Sequence, residues 1–129
     1  MVREILAVAI GGAAGSLARY ALLLVFSPLG AAWLPIATLT ANLLGCLAIG
    51  FVAQWSAQGE WSEHWGAVGI RIGLLGGLTT FSSFALDSLR IWQAERVVAA
   101  AWLVAAHVLL GLAAAAFGVW LARCLPTQT

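Results

Sequence analysis

Polar and apolar positions along this chain segregate into four long apolar stretches, roughly Ile5 to Phe26, Trp33 to Trp55, Gly66 to Leu89 and Val97 to Leu121. A hydrocarbon core of ~30 Å needs ~20 residues at ~1.5 Å each, so each stretch is long enough to cross a bilayer as a helix. Tryptophan supports two of the boundaries, because Trp33 and Trp55 bracket the second stretch and Trp102 and Trp120 lie toward the ends of the fourth. Indole rings favour the headgroup level. The connections are short: a turn at Ser27-Pro28-Leu29-Gly30, a polar loop from Ser56 to Trp65 with Glu60, Glu63 and His64, and a third from Arg90 to Arg96. The expected fold is an all-α membrane protein forming one four-helix domain over residues 1–129.

One apolar stretch is interrupted. Gly76-Gly77-Leu78-Thr79-Thr80-Phe81-Ser82-Ser83-Phe84 sets helix breakers and hydroxyls in the third span. Backbone that leaves the helix inside a bilayer survives only where protein, water or an ion satisfies its polar groups. A third helix broken at mid-membrane, near Gly76 to Thr80, is therefore predicted, and with it an ion site.

Composition agrees with the pattern: 63% of the residues are hydrophobic, 9% are charged, and the mean hydropathy is +1.00. A net charge of +1 argues against a nucleic-acid partner. Cys46 and Cys124 have neither metal-ligand spacing nor a disulfide framework and read as small apolar residues. The first stretch ends in no small-residue cleavage site, so it is expected to be a retained span. An even number of spans puts both termini on one side. Arginines then give little bias, with Arg3, Arg123 and arguably Arg71 on the terminal face against Arg90 and Arg96 on the other. The positive-inside rule then predicts insertion in both orientations, and chains inserted both ways assemble as an antiparallel, dual-topology dimer. Gly11 with Gly15, and Gly69, Gly73 and Gly77, form small-residue ridges suited to close helix contact, within the chain or between chains.

Several polar residues at depth carry chemistry. Asn42 lies near the centre of the second span with Thr38 one turn before it, and its amide hydrogens suit either an anion or an interhelical hydrogen bond. Phe81 and Phe84 share a helix face with Ser82 and Ser83 between them, and a phenyl edge is electropositive enough to approach a small anion. Arg19 has no acidic partner in its span and either snorkels or lines an aqueous vestibule. His107 has no second ligand at metal spacing and reads as a hydrogen-bonded packing residue.

In order and spacing, Gly11 to Tyr20, Thr38 to Gly45 and Gly76 to Phe84 resemble the signature segments of the Fluc (CrcB) fluoride channels of bacteria. The resemblance implies a passive channel exporting fluoride across the bacterial inner membrane, not an enzyme. It implies two antiparallel chains with a structural sodium ion between them, held by the carbonyls of Gly76 and Thr79. It makes Asn42, Phe81, Phe84, Ser82 and Ser83 the fluoride pathway, and Arg19 and Thr38 vestibule or framework residues. The partner is a second copy of the chain or a paralogue, in membrane lipid. Ala85 and Asp87 stand where relatives often carry serine and glutamate, and Gly111 and Ala115 where the fourth helix of relatives often supplies hydroxyls.

A negative-inside potential expels an anion with ~2.3 kcal/mol per 100 mV, so such a channel needs no coupling site. The rival expectations are a small multidrug-type proton-coupled transporter, which needs a carboxylate at mid-depth, and an accessory subunit of a larger membrane complex.

Overall fold

The computed structural model describes residues 1–57 and 64–125, so Glu60 and Glu63 of the expected polar loop lie outside the described residues. Helix α1 spans Val2–Phe26, α2 Leu34–Ser56, α3 residues 65–78, α4 Phe81–Gln93 and α5 Val97–Arg123. Four spans, Val2–Leu29, Ala31–Ser56, Trp65–Gln93 and Val97–Arg123, are long and apolar enough to cross a membrane, as the apolar stretches predicted. Large apolar side chains such as Ile10 and Leu17 on α1 and Trp102 and Leu109 on α5 stand exposed along them. In water that surface would drive association, whereas lipid solvates it.

The first connection lies where expected, and the third is tighter. Two 3-10 turns, Ser27–Leu29 and Ala31–Trp33, meet at Gly30, whose φ of 98° only glycine adopts cheaply. Pro35 then opens α2 where its missing N–H has no partner to lose. The third connection shrinks to residues 94–96, because α4 runs on to Gln93.

Packing follows the glycines. The ridge Gly11 and Gly15 on α1 meets the backbone of α3, where a Cβ added at Gly15 would fall on the Leu74 carbonyl. Gly69 and Gly73 answer from the other side, against Ala7 and Val8. These ridges thus join α1 to α3 within one chain. Gly50 and Gly118 do the same for α2 and α5, against the carbonyls of Ala115 and Leu47. Gly111, facing the Cys46 sulfur at a Cβ distance of 3.6 Å, belongs to the same seam. The start of α1 and the end of α5 lie at one end of the bundle: Met1 to Glu4 share a cleft with His64 and Trp65, and Arg123 Nε donates to Gln54 Oε1 at 3.3 Å.

Helix α3 is not uniform. After one α turn, Trp65–Val68, capped by the His64 side chain, the chain widens into a π-helix over Gly69–Leu74 and returns to an α turn at Leu75–Leu78. The interruption that follows falls on Thr79 and Thr80, both extended, with ψ of 151° and 117°. Gly76 and Gly77, expected to lie in the break, remain helical. The reason is visible in the packing: a Cβ on Gly77 would stand 2.5 Å from the Gly12 carbonyl, so this glycine serves close approach rather than chain reversal.

Candidate functional site: the interrupted third span

Two threonines can leave the helix because side chains take over the lost backbone bonds. In a continuous helix the Thr80 amide would donate to the Gly76 carbonyl and the Ser83 amide to the Thr79 carbonyl. Here the Thr80 N–H donates instead to Asn42 Oδ1 at 2.7 Å. The Ser83 N–H donates to Thr80 Oγ1 at 3.1 Å, the side-chain cap of α4. Asn42 also donates from Nδ2 to the Thr80 carbonyl at 3.0 Å, so one carboxamide clamps both polar groups of a single extended residue. The interhelical hydrogen bond left open for Asn42 is thus made, and one Nδ2 hydrogen remains beyond it. The carbonyls of Gly76 and Thr79 are deprived of their helical donors.

The remaining loose ends are also tied. Arg19 Nε donates to the Gly77 carbonyl at 3.2 Å, a cation at the negative end of a helix segment. The Thr79 hydroxyl folds back on the Leu75 carbonyl at 2.9 Å, and its methyl lies where a Cβ on Gly45 would be. Ser82 Oγ lies 3.1 Å from the Thr80 hydroxyl, which donates to Ser83 Oγ at 3.2 Å. Thr38, one turn along α2 from Asn42, is 4% exposed and donates to Asp87 Oδ2 at 2.9 Å. Thr38 therefore ties α2 to α4 alongside the Asn42 clamp.

Beside the interruption an open groove of about 430 Å³ runs between α2, α3, α4 and α5, with Asn42, Thr79, Thr80, Phe81 and Phe84 on its walls. The two phenyl rings meet edge to face, centroids 5.4 Å apart and planes at 65°. Phe81 is 78% exposed, while Phe84 packs against His107 with centroids 4.3 Å apart. His107 Nδ1 lies 3.0 Å from the Leu103 carbonyl, the bond expected of a packing residue. Its Nε2 is buried and meets no partner among the described residues. Arg71, counted in the sequence as a loop-side charge, lines the same groove. Nothing in its local pattern separates it from an interfacial arginine; only the path of α3 brings it there. Groups of three or more His, Cys, Asp or Glu side chains placed to hold a metal do not occur among the described residues.

The site thus combines backbone carbonyls released at the end of α3, amides at the start of α4, neutral donors and aromatic edges, the components of a multi-pass membrane protein that handles small ions rather than of an enzyme centre. The chain belongs to the CrcB-like family, described as CrcB-like protein, Camphor Resistance (CrcB), whose model matches residues 6–119. It is 45% identical over 125 residues to a protein of Stutzerimonas stutzeri, covering 95% of this chain and 99% of that one. It is 39% identical over 125 residues to one of Paracoccus denitrificans, covering 97% and 98%. A protein of Salmonella arizonae is 40% identical over 121 residues, with 94% of each chain covered. Each of the three is named a fluoride-specific ion channel, FluC.

Proposed function

We propose that this protein is a passive, fluoride-selective channel of the bacterial inner membrane, working as an antiparallel pair of identical chains. The observation that carries the reading is the interruption at Thr79 and Thr80, with its redirected amides, in a chain aligned almost end to end with fluoride-specific channels. Fluoride is small and strongly hydrated, so a selective path replaces its water with several donors and offers no carboxylate to repel it. Asn42 Nδ2, the Ser82 and Ser83 hydroxyls and the edges of Phe81 and Phe84 are such donors, next to the amino-terminal end of α4, where backbone N–H groups favour an anion. Asp87 of α4 accepts a hydrogen bond from Thr38. A proton-coupled transporter needs a carboxylate at mid-depth, whereas Asp87 lies toward the end of the Trp65–Gln93 span.

The interruption falls near the middle of the Trp65–Gln93 span, which supports a break at mid-membrane. The released carbonyls of Gly76 and Thr79 suit a hard cation such as sodium, since neutral oxygen ligands fit it. One chain offers two such oxygens, so a second copy completes the set. Gly76 is exposed and nothing lies within 4 Å of where its Cβ would stand, leaving room for that copy. The sparse arginine bias between the two ends supports insertion in both directions.

Purified protein alone, reconstituted into liposomes loaded with fluoride, tests the reading. Rapid, potential-driven fluoride efflux is expected. Liposomes that retain fluoride, or that release chloride equally fast, would refute it.

A further inference from the structure

A second groove, of about 870 Å³, opens at the other end of the bundle, where the start of α2, the end of α4 and the start of α5 meet. Its walls are largely apolar, with Leu34, Pro35 and Leu39 from α2, Ile91 from α4, and Leu103 and Ala106 from α5. Between Arg96 and Ala106, both on the wall, the chain rises ~15 Å at ~1.5 Å per residue, half of a ~30 Å hydrocarbon core. The groove therefore runs the depth of about one leaflet. Trp33 and Trp92, exposed at the ends of the helices that frame its mouth, suit the headgroup level.

The chemistry changes at that mouth. Arg90 from the last turn of α4 and Arg96, just before α5, both line the groove and both stand exposed. Neither guanidinium makes an ion pair or a hydrogen bond among the described residues. The turn between them brings them to one place. Arg96 N–H donates to the Ile91 carbonyl at 3.2 Å and Glu95 N–H to the Trp92 carbonyl at 2.9 Å, the Schellman pattern that folds a chain back over its last helical turn. Glu95, at φ 60° within that turn, is exposed and does not line the groove. Asp87, the one carboxylate on the wall among the described residues, lies about a turn deeper than Arg90. Its Oδ2 accepts the Thr38 hydroxyl at 2.9 Å. The mouth is thus cationic and the depth aliphatic.

In a bilayer an apolar groove is filled by an acyl chain or by protein, and this one matches a phospholipid at both ends. Planar guanidinium forks fit phosphate oxygens two at a time. Basic pockets between spanning helices at a membrane face recognise anionic headgroups. A zwitterionic headgroup brings its own cation toward the two arginines, whereas phosphatidylglycerol brings none. We propose that this groove binds one anionic phospholipid, its phosphate held by Arg90 and Arg96 and an acyl chain lying along Pro35, Leu39 and Leu103. The lipid joins α2, α4 and α5 beside the Thr38 to Asp87 bond and so stabilises their packing. In an antiparallel pair the two grooves face opposite leaflets, and each leaflet supplies one lipid. The proposal goes beyond the fluoride reading and needs only that the four spans cross a bilayer.

Purified full-length protein in detergent micelles is titrated with phosphatidylglycerol or with phosphatidylcholine of the same acyl chains, and the thermal midpoint is read at each mole fraction. A ligand of the folded state raises that midpoint. Each arginine near an anionic lipid contributes about fivefold in binding, so phosphatidylglycerol should half-saturate at a mole fraction at least about tenfold lower than phosphatidylcholine. The double variant Arg90→Gln, Arg96→Gln changes only exposed side chains without partners, so it should fold and bring the two curves together. Arg3→Gln removes a charge at the opposite end and should keep the preference. Overlapping wild-type curves overturn the proposal, and that result needs no variant to fold. A preference retained in the double variant overturns it as well, by placing the lipid elsewhere. Inorganic phosphate raising the midpoint as far as phosphatidylglycerol would assign the arginines to a free anion instead. Pairing lost on size exclusion in the double variant, with no lipid preference in the wild type, would assign the groove to a second copy.

Discussion

Asn42 and Phe81 occupy the same groove, yet their substitutions should fail in different ways. Asn42 holds both polar groups of Thr80. Removing it as Asn42→Ala leaves a half-buried amide and carbonyl unpaired, at a cost toward or below the low end of the ~1–3 kcal/mol that a fully buried unsatisfied group carries. The expected outcome is a lower thermal midpoint and a poor yield of folded protein on size exclusion. Asn42→Asp keeps the acceptor for the Thr80 N–H but turns a donor toward the carbonyl into a negative charge. It should fold better than the alanine variant and still pass little fluoride. Phe81 is largely exposed, so Phe81→Ile removes an aromatic edge without opening a cavity. Its folding cost should stay below ~1.5 kcal/mol. Efflux is expected to fall tenfold or more, equivalent to ~1.4 kcal/mol on the barrier. Efflux equal to wild type in Phe81→Ile would remove that ring from the path.

At the scale of elements, the glycines separate into those that pack and those with open space beside them, Gly30 in a turn and Gly76 on α3. Gly15→Val would drive its side chain into the Leu74 carbonyl and part α1 from α3. Overpacking of this kind typically costs about 1–3 kcal/mol, and a collision with backbone leaves little room for relief. Gly76→Ala meets open space inside one chain and sits in a helical turn, so the monomer should fold normally. Size exclusion in sodium and in a sodium-free buffer tells the two apart. Gly15→Val should give aggregated or absent protein in both. Gly76→Ala should give folded chains whose pairing is weakened.

The four spans were legible because ~20 apolar residues in a row have few other uses. The interruption was legible as a place but not as a mechanism. Glycine reads as a helix breaker, yet Gly77 lets α3 touch α1, and Gly76 and Gly77 both stay helical while the threonines leave the helix. The π-helix at Gly69–Leu74 has no signature in a run that reads equally well as α-helix. The Asn42 clamp spans 38 residues of sequence and exists only once α2 lies beside the break. Arg19 on the Gly77 carbonyl is the same kind of case: a partner was sought among acids, and it is backbone.

For the molecule as a whole, antiparallel pairing of identical chains is open to direct test. A tag at the carboxyl end, probed from each side of the membrane in cells, should label two populations. One orientation with full activity would favour a paralogous partner instead.

The first helix begins and the last helix ends on one face, with Met1 to Glu4 beside His64 and Arg123 beside Gln54. In an antiparallel pair, the end of α5 in one copy and the start of α1 in the other then lie on opposite faces of the bilayer. A gene carrying two copies in tandem could not join them with a flexible loop, whatever its length. It would need to encode one extra crossing helix between them, and the fused product would then lose the freedom to insert either way up. Two tandem fusions, one with a polar linker and one with a single added apolar helix, should differ accordingly: only the second is expected to restore growth in fluoride to cells lacking their own exporter.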